Sequence, residues 1–122
     1  MEIRKSSEDY LEAMLMLREK HGYIRSVDIA ELLGVTKPSV SYSVKRLREN
    51  GYINMESSGL ISLTSSGLAI AERIYTRHKL IANLLTELGV SEETAISDAC
   101  KIEHDLSEES FDALKKHLHE KG

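Results

Sequence analysis

The segment Cys100-Lys101-Ile102-Glu103-His104 gathers a thiol, a carboxylate and an imidazole within five residues. On a helix, residues three and four apart share a face, so Cys100, Glu103 and His104 are expected side by side. Sulfur, oxygen and nitrogen donors of these kinds bind divalent transition ions. Three ligands do not close a site, and the chain offers more. Asp9 and Glu12 lie three apart near the start of a first helix, and His78 interrupts an otherwise apolar helical face. Carboxylates and an imidazole turned towards a helical core are costly unless paired or metallated. Each residue also has a plainer reading. Asp9 and Glu12 suit the first turns of a helix for dipole reasons alone. His78 can be a satisfied core histidine, Arg77 beside it a solvated cation, Cys100 a small buried hydrophobe and His104 an exposed side chain.

The elements that must position these groups are legible in turn. EDYLEAMLMLREKHG has an apolar stripe of Tyr10 or Leu11, Met14, Leu15 and Leu17, with Ser6 or Ser7 as cap and Gly22 as stop. SVDIAELLG reads as a short helix capped by Ser26, with Ile29, Ala30 and Leu33 inward and Gly34 ending it. In VTKPSVSYSVKRLRENG, Thr36 caps, Pro38 fits a first turn, and Val40, Val44 and Leu47 recur at helical spacing before Gly51. The period then changes. Tyr52-Ile53 and Leu60 to Leu63 are β-prone runs around a Ser-Ser-Gly turn, which predicts a two-stranded hairpin. From Ser65 to about Glu87 the chain is helical again, with Ile70, Ile74, Arg77-His78, Ile81 and Leu84-Leu85 tracing one face. Ser91 to Thr94 opens a further helix that carries CKIEH, and Ser107 to Ser110 opens a last one.

Three helices and a hairpin, with the second and third helices in tight tandem, describe a winged helix-turn-helix. Its third helix enters the major groove of DNA with N-terminal residues against the bases. Thr36, Lys37, Pro38, Ser39, Ser41, Tyr42, Lys45 and Arg46 are the candidate DNA-facing set. From residue 36 to 50 the balance is four positive to one negative, so the locally basic element is also the one the geometry selects. The plainer reading of Lys45-Arg46-Leu47-Arg48 is a solvated helix face.

Composition bounds the rest. The chain has 122 residues, 41% hydrophobic, with one Phe and no Trp, so its core is aliphatic and suits helices. The expected fold class is mainly α. Residues 1–63 form the winged helix-turn-helix domain and residues 64–122 an all-helical metal-binding and dimerisation domain. The net charge of −4 comes wholly from the second part, because residues 1–63 carry nine basic and nine acidic side chains. An acidic half is a poor DNA surface and a reasonable place for a cation. One cysteine excludes an internal disulfide framework and suits a reducing compartment. MEIRKSSEDY is charged and shows no signal peptide, and no run reaches the apolar length of a membrane span, so a cytoplasmic location is expected.

The chain resembles the manganese-responsive branch of the diphtheria-toxin-repressor family of iron- and manganese-dependent transcriptional repressors. The resemblance covers essentially the whole chain. It is carried by EDYLE at 8–12, SVDIAELLGVTKPSVSYSVKRL at 26–47, LTSSG at 63–67, RHKL at 77–80 and CKIEHDLS at 100–107. It implies a metal-loaded homodimer that binds palindromic double-stranded operators and represses metal-uptake genes. The further SH3-like domain of toxin-repressor relatives is not expected in a chain of this length. Residue by residue, Asp9, Cys100, Glu103 and His104 match the ligands that read the activating ion. Glu12 and His78 match a second, adjacent site, with Glu103 shared. At position 100 the best-known manganese regulators have glutamate, whereas iron-sensing relatives have cysteine. A thiolate favours Fe(II), Co(II) or Zn(II), while Asp9 and Glu12 favour a harder ion. Mn(II) is the expected cofactor and Fe(II) the alternative.

On this reading an ion ligated from both domains ties them together. In a dimer, that fixes two recognition helices at the spacing of half-sites one turn apart, about 34–36 Å. The ion then selects the operator-competent arrangement, and DNA reciprocally tightens the ion. The long apolar helix exceeds what a 59-residue segment buries alone, which points to symmetric pairing. Three other classes compete. A metal-activated water would make an enzyme, but these donors lie on helices away from an obvious cleft. A metal-independent winged-helix regulator and a helical protein-interaction module are the other two.

Overall fold

A computed structural model describes residues 5–121; the opening residues of MEIRKSSEDY, on which the reading of the N-terminus partly rests, lie outside them. The element order is α1 (Lys5–His21), α2 (Ser26–Leu33), α3 (Lys37–Glu49), β1 (Ile53–Met55), β2 (Ile61–Leu63), α4 (Ser65–Glu87), α5 (Glu92–Ile102) and α6 (Glu108–Lys121). The chain divides into two compact units, Met1–Arg73 and Ile74–Gly122.

In the first unit the apolar periodicity of three helices converges on an aliphatic core. Leu11, Met14, Leu15 and Leu17 of α1, Ile29 of α2, and Val40, Val44 and Leu47 of α3 are all buried. The α2–α3 turn needs a left-handed residue, and Gly34 supplies it at φ 67° as the C-cap of α2. Two residues later Thr36 caps α3, accepting a hydrogen bond from Ser39 N at 3.3 Å. Pro38 follows at the second helical position, where no intrahelical N–H is required. Two capping expectations are corrected. The N-cap of α2 is Arg25, which makes no side-chain cap bond, so Ser26 is the first helical residue. Likewise α1 already runs through Lys5, which puts Ser6 and Ser7 inside the helix.

The hairpin pairs antiparallel with Ile53 opposite Leu63, Asn54 opposite Ser62 and Met55 opposite Ile61. Ile24 bridges to Ile61, whose N–H donates to Ile24 O at 3.0 Å, so the α1–α2 connection acts as a third partner for the wing. Arg25 Nη1 donates to Ser58 O at 3.1 Å and holds the turn at the wing tip. The base of the wing is fastened to the start of α4. Thr64 Oγ1 donates to Gly51 O at 2.8 Å and accepts from Gly67 N at 3.2 Å. A Cβ at Gly67 would lie 2.0 Å from Tyr52 O, so only glycine allows this approach. Arg73 of α4 pairs with Glu8 of α1 at 2.9 Å.

The second unit has a smaller core of Ile74 and Ile81 from α4, Ala95 and Ala99 from α5, and Phe111 from α6. Ser91 caps α5 through Thr94 N, and Ser107 Oγ accepts from Ser110 N at 3.1 Å at the start of α6. Leu88 remains 69% exposed and Ile96 43% exposed, apolar surface that this unit does not cover by itself. Among the described residues no helix is long and apolar enough to cross a membrane.

Candidate metal centre and nucleic-acid interface

Helical periodicity turns His78 inward, between Ile74 and Ile81 on the buried face of α4. Helix α5 presents its last turn to the same place. It ends at Ile102, and Glu103 is its C-cap, still helical at φ −56°, ψ −29°. The CKIEH segment therefore straddles a helix end: Cys100 and Glu103 share a face, while His104 follows in the turn.

Glu103 is fully buried. Its Oε2 lies 2.9 Å from His78 Nδ1 and its Oε1 lies 3.5 Å from His104 Nε2. Cys100 Sγ is 3.7 Å from the same Nδ1 of His78. His78, Cys100 and Glu103 thus place nitrogen, sulfur and oxygen donors within 4.8 Å of one another. The family resemblance groups Cys100 with His104. Here the thiol stands beside His78, and Glu103 lies between the two imidazoles.

This site carries a charge that the protein atoms do not fully satisfy. Glu103 Oε1 has no hydrogen-bond partner of good geometry among the described residues, although it is shut away from solvent. An ionised carboxylate in that state is expensive, and a cation offsets the cost. The residues present fit a divalent ion on that ground and on donor chemistry. Without an ion, the proton is the cation the cluster holds. The hydrogen bond to Cys100, then that to Glu103, raises the His78 pKa from 6.5 to about 10, against a burial effect that lowers it.

Asp9 and Glu12 lie on α1 in the first unit, Asp9 half-buried and Glu12 6% exposed. A helix-dipole role explains an acid in the first turns but gives no reason to bury it, so burial of Glu12 weighs against the plainer reading. Arg77 lies on the apolar face where its spacing from Ile74 and Ile81 puts it. At 2% exposed it is among the largest fully buried side chains, so the plainer alternative of a solvated cation does not hold. Arg25 at the wing tip and the Glu8–Arg73 pair had no comparable signal, because both depend on contacts remote in sequence.

On α3, Val40, Val44 and Leu47 face the core, and the opposite side is open. Thr36, Lys37, Pro38, Ser39, Ser41, Tyr42 and Lys45 are exposed, and Arg46 is half-buried. Thr36 is occupied with capping and donates its hydroxyl to Ser39 Oγ at 2.9 Å. Tyr42 and Arg46 form a pair: Arg46 Nη1 donates to Tyr42 Oη at 3.0 Å, and the guanidinium carbon sits 5.7 Å from the ring centroid. Lys37 and Lys45 are exposed, while Arg46 is tied to Tyr42.

Comparison with known proteins agrees with both regions. Residues 2–59 match the iron dependent repressor N-terminal DNA binding domain, and residues 64–121 match the iron dependent repressor metal binding and dimerisation domain. An uncharacterized HTH-type transcriptional regulator of Methanocaldococcus jannaschii is 40% identical over 113 residues, covering 91% of this chain and 90% of that protein. The HTH-type transcriptional regulator MntR of Bacillus subtilis is 41% identical over 109 residues, covering 89% and 77%. Among solved structures, T. acidophilum IdeR superposes with a TM-score of 0.83 at 27% identity, covering 98% of this chain and 55% of that one. A manganese-dependent transcriptional repressor in complex with manganese gives 0.84 at 27% identity, covering 93% and 52%. The chain thus spans about half the length of those two solved chains. The relatives are transcriptional regulators, which sets the enzyme reading aside. Matched over residues 2–59 and 64–121, and 40% identical to a relative that it covers almost fully, the chain belongs to the iron dependent repressor family.

Proposed function

We propose that the protein is a cytoplasmic, metal-dependent transcriptional repressor that binds palindromic double-stranded operators as a homodimer and controls metal-uptake genes. The observation that carries the metal dependence is the fully buried Glu103, whose carboxylate lies between two imidazoles and whose Oε1 has no hydrogen-bond partner among the described residues. His78, Cys100, Glu103 and His104 are the ligands proposed from the second unit. Asp9 and Glu12 join the set on the strength of the family resemblance. The proposed functional domains are residues 1–63 and 64–122. When bound, the ion would supply positive charge beside the buried Glu103 in place of the proton that His78 holds without it.

Mn(II) is the proposed physiological ion, supported by the likeness to the solved manganese-dependent repressor. Cys100 favours the second reading, an Fe(II)-responsive regulator, because a thiolate is a softer donor than the ion-bridging glutamate of manganese regulators. The exposed Leu88 and Ile96 support pairing of two copies through the helical unit. On DNA, Lys37, Ser39, Ser41, Tyr42, Lys45 and Arg46 divide between phosphates and bases, with Thr36 and Pro38 shaping the helix start. The test is duplex binding by chelated and metal-loaded protein, beside Glu103→Gln.

A further inference from the structure

His78 holds Glu103 by its carboxylate; the residue before it holds Glu103 by its backbone. Arg77 Nη1 donates to Glu103 O at 3.1 Å and also to Leu106 O, while Nη2 donates to Glu108 Oε1 at 2.8 Å. Its guanidinium carbon lies 5.1 Å from the Phe111 ring centroid. The cation is thus buried under the C-terminal end of α5, where carbonyl groups lose their intrahelical partners and the helix dipole is negative. One planar fork spans the turn that carries Glu103 and His104 and reaches the first turn of α6. A lysine ammonium, with three donors radiating from a single atom, does not reproduce that span.

Glu108 is itself 67% exposed, so the pair with it is screened; the two backbone carbonyls are the anchors. Fixing both ends of the 103–106 turn leaves Glu103 little freedom to move its carboxylate away from His78. From this geometry we infer that Arg77 is a positioning residue that preorganises the metal-ligating turn and makes α6 a determinant of metal affinity. The inference rests on the divalent-ion reading given above. It assigns no ligand role to Arg77. Partners of metal ligands that fix their orientation typically contribute about 10–100-fold to metal affinity.

The experiment uses the full chain and Co(II) alone as probe. Arg77→Lys retains the charge and most of the side-chain volume. It is expected to bind Co(II) about tenfold more weakly than wild type, with an altered visible spectrum. In the metal-free variant, exchange at the Asp105 amide, which donates to Ile102 O at 3.0 Å, is expected to quicken selectively. Saturating Co(II) should slow it again. A purely structural loss would instead quicken exchange along α4 and α5 alike. If Arg77→Lys does not fold, Arg77→Gln decides, because its amide keeps one donor for a backbone carbonyl but cannot span Glu103 O and Leu106 O. Weaker Co(II) binding with faster Asp105 exchange supports the inference; wild-type values for both overturn it. A folded Arg77→Lys with wild-type affinity, spectrum and exchange overturns it too, while leaving the metal reading intact. Failure of wild type to bind Co(II) removes the metal reading itself.

Discussion

His78 Nδ1 and Glu103 Oε2 meet at 2.9 Å and join the middle of α4 to the end of α5. With Cys100 Sγ 3.7 Å from the same nitrogen, the imidazole is held between a thiol and a buried carboxylate. These neighbours favour the charged ring and raise its pKa to about 10.

The sign follows from that shift. A raised folded-state pKa means the charged ring stabilises the metal-free fold fully below the unfolded value of 6.5, and that this stability is lost as pH rises towards about 10. Metal-free Tm is therefore expected to fall across that window. Ligation by His78 Nδ1 requires the neutral ring, so metal binding releases a proton there. Mn(II) affinity should rise by up to about tenfold per pH unit between pH 6.5 and 8. Calorimetry in buffers of different ionisation enthalpy measures the proton directly, and no release would contradict the His78 assignment.

Sulfur ligation has its own signature. Wild-type protein with one equivalent of Co(II) should show an intense near-ultraviolet thiolate charge-transfer band that is lost in Cys100→Ser. Affinity for Co(II) and Fe(II) should fall more than affinity for Mn(II), since a soft donor has been removed. Cys100 is exposed rather than the small buried hydrophobe of the plainer reading, and a thiol that never meets metal gives no band and an unchanged order of metals.

For α3, Lys45→Ala should weaken duplex binding across all sequences and reduce the logarithmic salt slope by about one. Changing Tyr42 to Phe removes the hydroxyl that orients Arg46 at 3.0 Å. If Arg46 reads a base, preference at that position should relax at a cost of roughly 1–3 kcal/mol. Selection from randomised duplexes compares the two variants, and an unchanged salt slope for Lys45→Ala would put that residue off the interface.

Much of this arrangement was legible in the residues. Val40, Val44 and Leu47 repeat at helical spacing, Thr36 and Gly34 punctuate the tandem helices, and the period changes at Ile53; local chemistry fixes each of these. The exposure of the α3 side proposed to face DNA follows from the same periodicity. Arg25 replaced Ser26 as cap because the chain enters α2 straight from the bridge between Ile24 and Ile61, a contact remote in sequence. Periodicity puts Arg77 on the apolar face of α4 but does not reveal its acceptors, which are carbonyls 26 and 29 residues away. The pairing of Cys100 with His78 depends on how α4 packs on α5, which spacing within CKIEH does not encode.

Gly67 joins recognition and helical parts of the sequence through a contact with no room for a side chain. Gly67→Ala puts a Cβ 2.0 Å from Tyr52 O, so backbone must shift. The expected cost is about 1–3 kcal/mol, read as a lower denaturation midpoint with an unchanged m-value. A wild-type midpoint would mean that the start of α4 does not pack as described.

Metal-gated DNA recognition is the central claim, and one titration tests it most directly. A duplex selected with Mn(II)-loaded protein is titrated with wild type in Mn(II), with wild type after chelation, and with Glu103→Gln in Mn(II). Reciprocal coupling of typical size makes the metal-loaded wild type bind about 5–150-fold more tightly than the chelated protein, with Glu103→Gln as weak as the latter. Equal affinity in all three would contradict metal control of DNA binding.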